Sequence, residues 1–159
     1  MNNSSLYTKR VMEHFKHPHN YGKIKNPDGL GRVGNAICGD VMHLYIKVGR
    51  NKKGEEIIKD IKFETFGCVA AISTSSIVTD LAKSKTLKEA MKVDSRKIIK
   101  SLGGLPSIKI HCSLLAVDAL SEAIYNYLSK NKKLIPDKLR KVHQKIEKEN
   151  REVEKKFKK

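Results

Sequence analysis

Three cysteines, Cys38, Cys68 and Cys112, carry the most distinctive chemistry in this chain. They lie 30 and 44 residues apart. That is far from the close pairs of a structural zinc motif, and an odd number argues against a disulfide framework. Each stands where the backbone is free to reorient. In Ile37-Cys38-Gly39-Asp40 the glycine lets the chain turn so that thiol and carboxylate can face one point. Cys68 follows Phe66-Gly67 at the end of a strand pattern. Cys112 follows His111 at the start of a helical pattern, where unpaired N–H groups and the positive dipole end favour thiolate over thiol. Three thiols plus one harder ligand, from Asp40 or His111, would suit tetrahedral zinc or an iron–sulfur cluster. Spacing does not choose between these. A thiolate can also attack sulfur, which makes Cys112 the first candidate for such an attack.

Several elements must bring these residues together. Val41 to Val48 alternates, with Met42, Leu44, Ile46 and Val48 on one face. After the polar loop Gly49–Glu56, a return strand places Ile57, Ile61, Phe63 and Thr65 on one face. With a strand from near Arg32 to Cys38, these short connections predict a three-stranded antiparallel meander. A helix follows Cys68, its Ser73-Thr74-Ser75-Ser76 cluster read as small residues for close packing, because no His/Asp partners accompany a serine nucleophile. Thr86-Leu87-Lys88-Glu89 has the form of a capping box. Another helix should run from Asp94 or Ser95 through Leu102, and a longer one from Cys112 to about Ser129. The first helix carries Tyr7, Val11, Met12 and Phe15 and ends at Pro18. Nearby His14, His17 and His19 read as solvated surface histidines, since no cysteine lies close in sequence. The expected architecture is α+β: a three-stranded antiparallel sheet packed against several helices, over residues 1–129.

Beyond Lys130 the composition shifts. Residues 130–159 hold 13 basic and 5 acidic residues, half of the net charge of +16. Leu139, Val142, Ile146, Val153 and Phe157 form a thin stripe that predicts a basic, solvated or frayed C-terminal helix. Lysine supplies 27 of the 33 basic residues, and no basic stripe is interleaved with aromatics, so nucleic-acid binding is not expected as the main function. No apolar run approaches the roughly 20 residues of a membrane span. Met1 to Lys16 lacks an apolar block with a cleavage site, so a cytoplasmic location is expected.

Four ordered blocks carry a resemblance. They are Tyr7…His14…Pro18…Asn20-Tyr21-Gly22, then Cys38-Gly39-Asp40, then Phe63-Glu64-Thr65-Phe66-Gly67-Cys68, and finally Leu105-Pro106-Ser107-Ile108-Lys109-Ile110-His111-Cys112-Ser113. Over roughly Tyr7 to Leu128 the chain resembles IscU/NifU-type iron–sulfur cluster assembly scaffolds. The resemblance implies a scaffold rather than an enzyme. Cys38, Cys68 and Cys112 would be cluster ligands, with Asp40 and His111 as fourth-ligand and metal-binding candidates. Such a scaffold takes persulfide sulfur from a cysteine desulfurase, joins it to iron, and passes a transient [2Fe–2S] cluster to apo iron–sulfur proteins. A frataxin-like iron or regulatory protein, an Hsp70-type chaperone pair and a homo-oligomeric form are further partners it implies. Leu105, Pro106, Ser107, Ile108 and Lys109 would be the chaperone-recognition segment, although Ser107 and Ile108 depart from the family's proline and valine there. The alternative is a zinc-dependent sulfurtransferase of SufU type, with zinc in the resting site. His111, where those relatives carry a basic residue, favours the scaffold branch. The basic extension lies outside the resemblance.

Overall fold

The computed structural model describes residues 6–34 and 41–157. In chain order the elements are α1 (Lys9–Lys16), β1 (Gly29–Gly34), β2 (Val41–Arg50), β3 (Glu56–Thr65), α2 (Val69–Ala82), α3 (Leu87–Ala90), α4 (Ser95–Ser101), α5 (Ile110–Lys130) and α6 (Asp137–Phe157). The strands form an antiparallel sheet in the order β1-β2-β3, and the fold is the expected α+β arrangement. Helix starts obey the local signals. Thr8 accepts from the Val11 N–H, Asp94 accepts from the Lys97 N–H, and Thr86 with Glu89 completes a reciprocal capping box.

One strand departs from simple alternation. Ile58, not Ile57, is fully buried on β3, together with Ile61, Phe63 and Thr65. The cause is a β-bulge: Lys47 pairs with Asp60 while Val48 pairs with Ile58, leaving Lys59 as an extra residue. An extra residue reverses which side chains face the core on one side of the bulge. Strand β1 also begins earlier than expected, at Gly29.

That early start matters for the helix above it. A Cβ at Gly31 would lie 2.1 Å from the Ala119 carbonyl oxygen, and one at Gly29 would lie 2.3 Å from that of Ala123. Only glycine permits the α5 backbone to rest this closely on β1. On α2, Ser73, Thr74, Ser75 and Ser76 are all buried, as small packing residues should be. Ser73 donates to the Val11 carbonyl of α1, and Thr74 reaches the Cys112 carbonyl of α5 at 3.3 Å. Polar side chains of this size fill the narrow space between three helices without leaving donors unpaired. Through these contacts α2 is fixed against α5, and the two cysteine-bearing helix starts share one end of the fold.

The C-terminal extension is helical as expected over Asp137–Phe157, but part of its apolar stripe is buried rather than solvated. Leu139 and Ile146 are 2% and 1% exposed. Lys145 pairs with Asp118 at 2.8 Å, and His143 stacks on Tyr125 and meets Glu122 at 2.5 Å. α6 therefore packs antiparallel to α5, and it also contacts β1. A thin stripe suffices because α5 and β1 offer a seat already lined by apolar side chains. No helix among the described residues is long and apolar enough to cross a membrane.

Candidate functional site

Cys68 is the N-cap residue of α2, directly after β3, with extended backbone angles. Cys112 is the third residue of α5, whose start lies two residues earlier than the sequence predicts. Before it, Ser107–Lys109 forms a 3-10 turn rather than a fully extended segment. The turn brings Lys109 back over the thiols. The Sγ atoms of Cys68 and Cys112 lie 3.9 Å apart, far beyond a disulfide bond. Two thiolates on one tetrahedral zinc-sized ion, each bonded at ~2.3 Å, would stand about 3.8 Å apart. His111 Nε2 lies 3.6 Å from Cys112 Sγ, close to the roughly 3.6 Å expected for nitrogen and sulfur sharing an ion. Cys112 is thus the common member of two ligand-like pairs. Cys68 and His111 do not close into one set with it, so the His111 ring must turn further inward for all three to share an ion.

Hydrogen bonds and charge act together on Cys68. Cys68 is held down to about 5 by its hydrogen bond with Cys112, by the backbone amides of Ala71 and Ala70, and by the Lys109 ammonium. Burial works against this and is outweighed. Lys109 Nζ lies 3.7 Å from Cys68 Sγ, and the thiolate raises the lysine in turn. Tyr7 approaches the same pair: burial, then Cys68, raise its phenol above the ordinary range. Cys112 is 1% exposed and packs with Ala70, Ala71, Tyr7 and Leu105. The sequence reading favours Cys112 as the activated thiol; the more open sulfur is Cys68, and its thiol is strongly depressed.

Cys38 and Asp40 lie outside the described residues. The chain on either side of them is fixed. Gly34 pairs with Val41, and the Thr65 hydroxyl donates to the Val41 carbonyl three residues before Cys68. Gly34 and Val41, the described residues on either side, thus sit at the end of the sheet that leads into Cys68.

An exposed apolar rim surrounds the thiols. Phe66 is 92% exposed and Ile108 is 73% exposed, with Ile110 and Leu114 partly exposed beside them. In the segment Leu105–Lys109, Leu105 and Pro106 are half-buried while Ser107 and Ile108 face solvent. On α5 the structure buries Leu115 and turns Leu114 outward. Also unforeseen is a cluster well away from the cysteines, where His14 and His19 meet Asp80 of α2. His14 is partly buried, and burial together with His19 holds its ring below the ordinary imidazole range. Asp80 lies about 60 residues from either histidine in sequence, so no local pattern could have joined them.

Known proteins resemble this chain. The family described as NifU-like N terminal domain matches residues 6–134. "Iron-sulfur cluster assembly scaffold protein IscU 1" of Archaeoglobus fulgidus is 49% identical over 150 residues, 94% of this chain and 92% of that protein. "Iron-sulfur cluster assembly scaffold protein IscU" of Buchnera aphidicola subsp. Schizaphis graminum is 47% identical over 130 residues, 80% of this chain and 98% of that protein. The archaeal similarity, covering 94% of this chain, necessarily runs into the C-terminal extension. A SUF-system scaffold candidate from Fervidobacterium islandicum shares the fold with a TM-score of 0.61 at 22% identity, over 77% of this chain and 99% of that one. With the thiols paired at two helix starts and the family match running from the first helix past the end of α5, the chain belongs to the NifU-like N-terminal domain family of iron–sulfur cluster assembly proteins.

Proposed function

We propose that this protein is a scaffold on which iron–sulfur clusters are built and from which they are released to apo-proteins. The observation that carries the reading is the Cys68–Cys112 pair, set 3.9 Å apart at two helix starts with His111 alongside. Cys38 and Asp40 complete the proposed ligand set, giving a [2Fe–2S] cluster three thiolates and one harder donor. Sulfur enters by attack of a scaffold thiolate on the outer sulfur of a desulfurase persulfide, with the desulfurase thiolate leaving. Cys112 remains the proposed acceptor, which requires the Leu105–Lys109 turn to move and uncover it. Sulfur mapped to Cys68 after loading would reverse that ranking. Two sulfane sulfurs need four electrons to become two sulfides. Two ferrous ions oxidised to ferric supply two, and an external one-electron donor supplies the others.

The rim of Phe66, Ile108, Ile110 and Leu114 offers apolar area for a partner that covers the thiols during loading, with the desulfurase the proposed occupant and a frataxin-like protein as its companion. Ser107, Ile108 and Lys109 are presented for chaperone recognition. The chemistry requires a reducing compartment, and the cytoplasm is the proposed one.

Asp40 is the proposed weak ligand that permits release. Protein carrying Asp40→Ala should still assemble the cluster but transfer it to an apo-ferredoxin at least tenfold more slowly than the unmutated protein, followed by visible circular dichroism. Equal transfer rates would remove Asp40 from the account.

A further inference from the structure

Away from the cysteines, α1 and the loop after it face α2 through three potential metal ligands. One donor atom from each of His14, His19 and Asp80 lies within 4.8 Å of the other two. His19 Nδ1 meets Asp80 Oδ2 at 2.6 Å, and the two imidazole rings have centroids 4.5 Å apart. Asp80 is twelve residues beyond Cys68 on the same helix, which at ~1.5 Å per residue separates the two places by about 18 Å. The cluster therefore cannot share an ion with Cys68 or Cys112.

We propose that His14, His19 and Asp80 form a second, independent binding site for a divalent first-row metal ion. The donor set of two imidazoles and one carboxylate suits Zn²⁺, Fe²⁺, Co²⁺ or Ni²⁺, and leaves positions for water, so the ion remains exchangeable. Neighbouring groups hold these ligands as outer partners hold metal ligands elsewhere. His14 Nδ1 is engaged by Ser76 Oγ at 2.7 Å, which leaves its Nε2 for the ion. Ser76 Oγ also accepts from the His19 backbone N–H at 2.8 Å, so one hydroxyl orients both histidines. Asn20 Nδ2 donates to the Thr79 hydroxyl at 2.9 Å and lies 3.4 Å from Asp80 Oδ1, which places it beside the carboxylate. Asn20 itself adopts φ of 60°, the left-handed turn that sends His19 back toward α2. An ion bonded to three such ligands at ~2.1 Å needs them about 3.4 Å apart, so the His19–Asp80 pair must open and His14 must close in, both within reach of side-chain rotation. Binding through His19 Nδ1 would replace the hydrogen bond that this nitrogen makes with Asp80. The side chains of His19 and Asp80 are 52% and 35% exposed, so an ion has direct access.

The site can be separated from the thiols in the full-length chain carrying Cys38→Ser, Cys68→Ser and Cys112→Ser. Titrated with zinc alone, that protein should bind one equivalent. Adding His19→Gln or Asp80→Asn should weaken binding at least tenfold, while His17→Gln should leave it within twofold. Absence of binding, or binding that ignores both His19→Gln and Asp80→Asn, would overturn the proposal. Should the triple substitution unfold the protein, the unmutated chain can first be saturated with one zinc equivalent and then given one of Co²⁺. Ring-proton resonances of His14 and His19 should then shift or broaden, with no new thiolate-to-cobalt absorption. Unmoved histidine signals would equally overturn it.

Discussion

The ammonium of Lys109, 3.7 Å from Cys68 Sγ, stands where an incoming cation must compete with it. In metal-free protein it helps keep the thiol ionised and so keeps a ligand ready. Replacing it tests that role. Lys109→Met should raise the pH midpoint for alkylation of Cys68, read by peptide mass after iodoacetamide treatment, from about 5 toward the ordinary thiol range. An unchanged midpoint would assign the effect to Cys112 and the helix amides alone. The same depression has a consequence for folding. A group whose pKa is lower in the folded state stabilises that state fully above its unfolded value, ~8.5 for a thiol, and loses the contribution as pH falls through about 5. At this scale the ligand types are legible in the sequence, because cysteine, histidine and aspartate announce their chemistry by type. Which thiol is ionised is not legible there. That depends on Ala70, Ala71, Lys109 and burial together, none of which spacing encodes.

Among the elements, the bulge in β3 most clearly separates periodicity from structure. Alternation assigns Ile57 to the core, and one inserted residue, Lys59, hands that place to Ile58. Ile58→Ala should cost about 2–5 kcal/mol in chemical denaturation, and Ile57→Ala only about 1 kcal/mol. Comparable losses would mean that the strand follows its simple alternation. Capping signals such as Thr86-x-x-Glu89 are readable because both partners lie within one turn. The seating of α5 is not, because the reason Gly29 and Gly31 must be glycine lies far along the chain at Ala119 and Ala123. Those glycines set the height of α5 above the sheet, and with it the position of Cys112.

For the whole molecule, the C-terminal helix is part of the folded unit. Its apolar stripe is thin, but Leu139 and Ile146 meet a prepared surface on α5 and β1, Lys145 adds an ion pair to α5, and His143 adds a hydrogen bond. Ile146→Ala should destabilise the protein by about 2–4 kcal/mol. Removal of residues 130–159 should leave a folded but less stable core, with a lower midpoint in thermal melts. No loss in either variant would return the extension to solvent.

The central claim is that this end of the molecule assembles a cluster. The most direct measurement is anaerobic reconstitution of the full chain with ferrous iron, cysteine and a cysteine desulfurase, followed by visible absorption and by iron and acid-labile sulfide counts. The account predicts charge-transfer bands with iron and sulfide in equal amounts, both lost when Cys68 is replaced by serine. Retained zinc with persulfide on a cysteine and no sulfide would contradict it, and would make the protein a sulfur carrier instead.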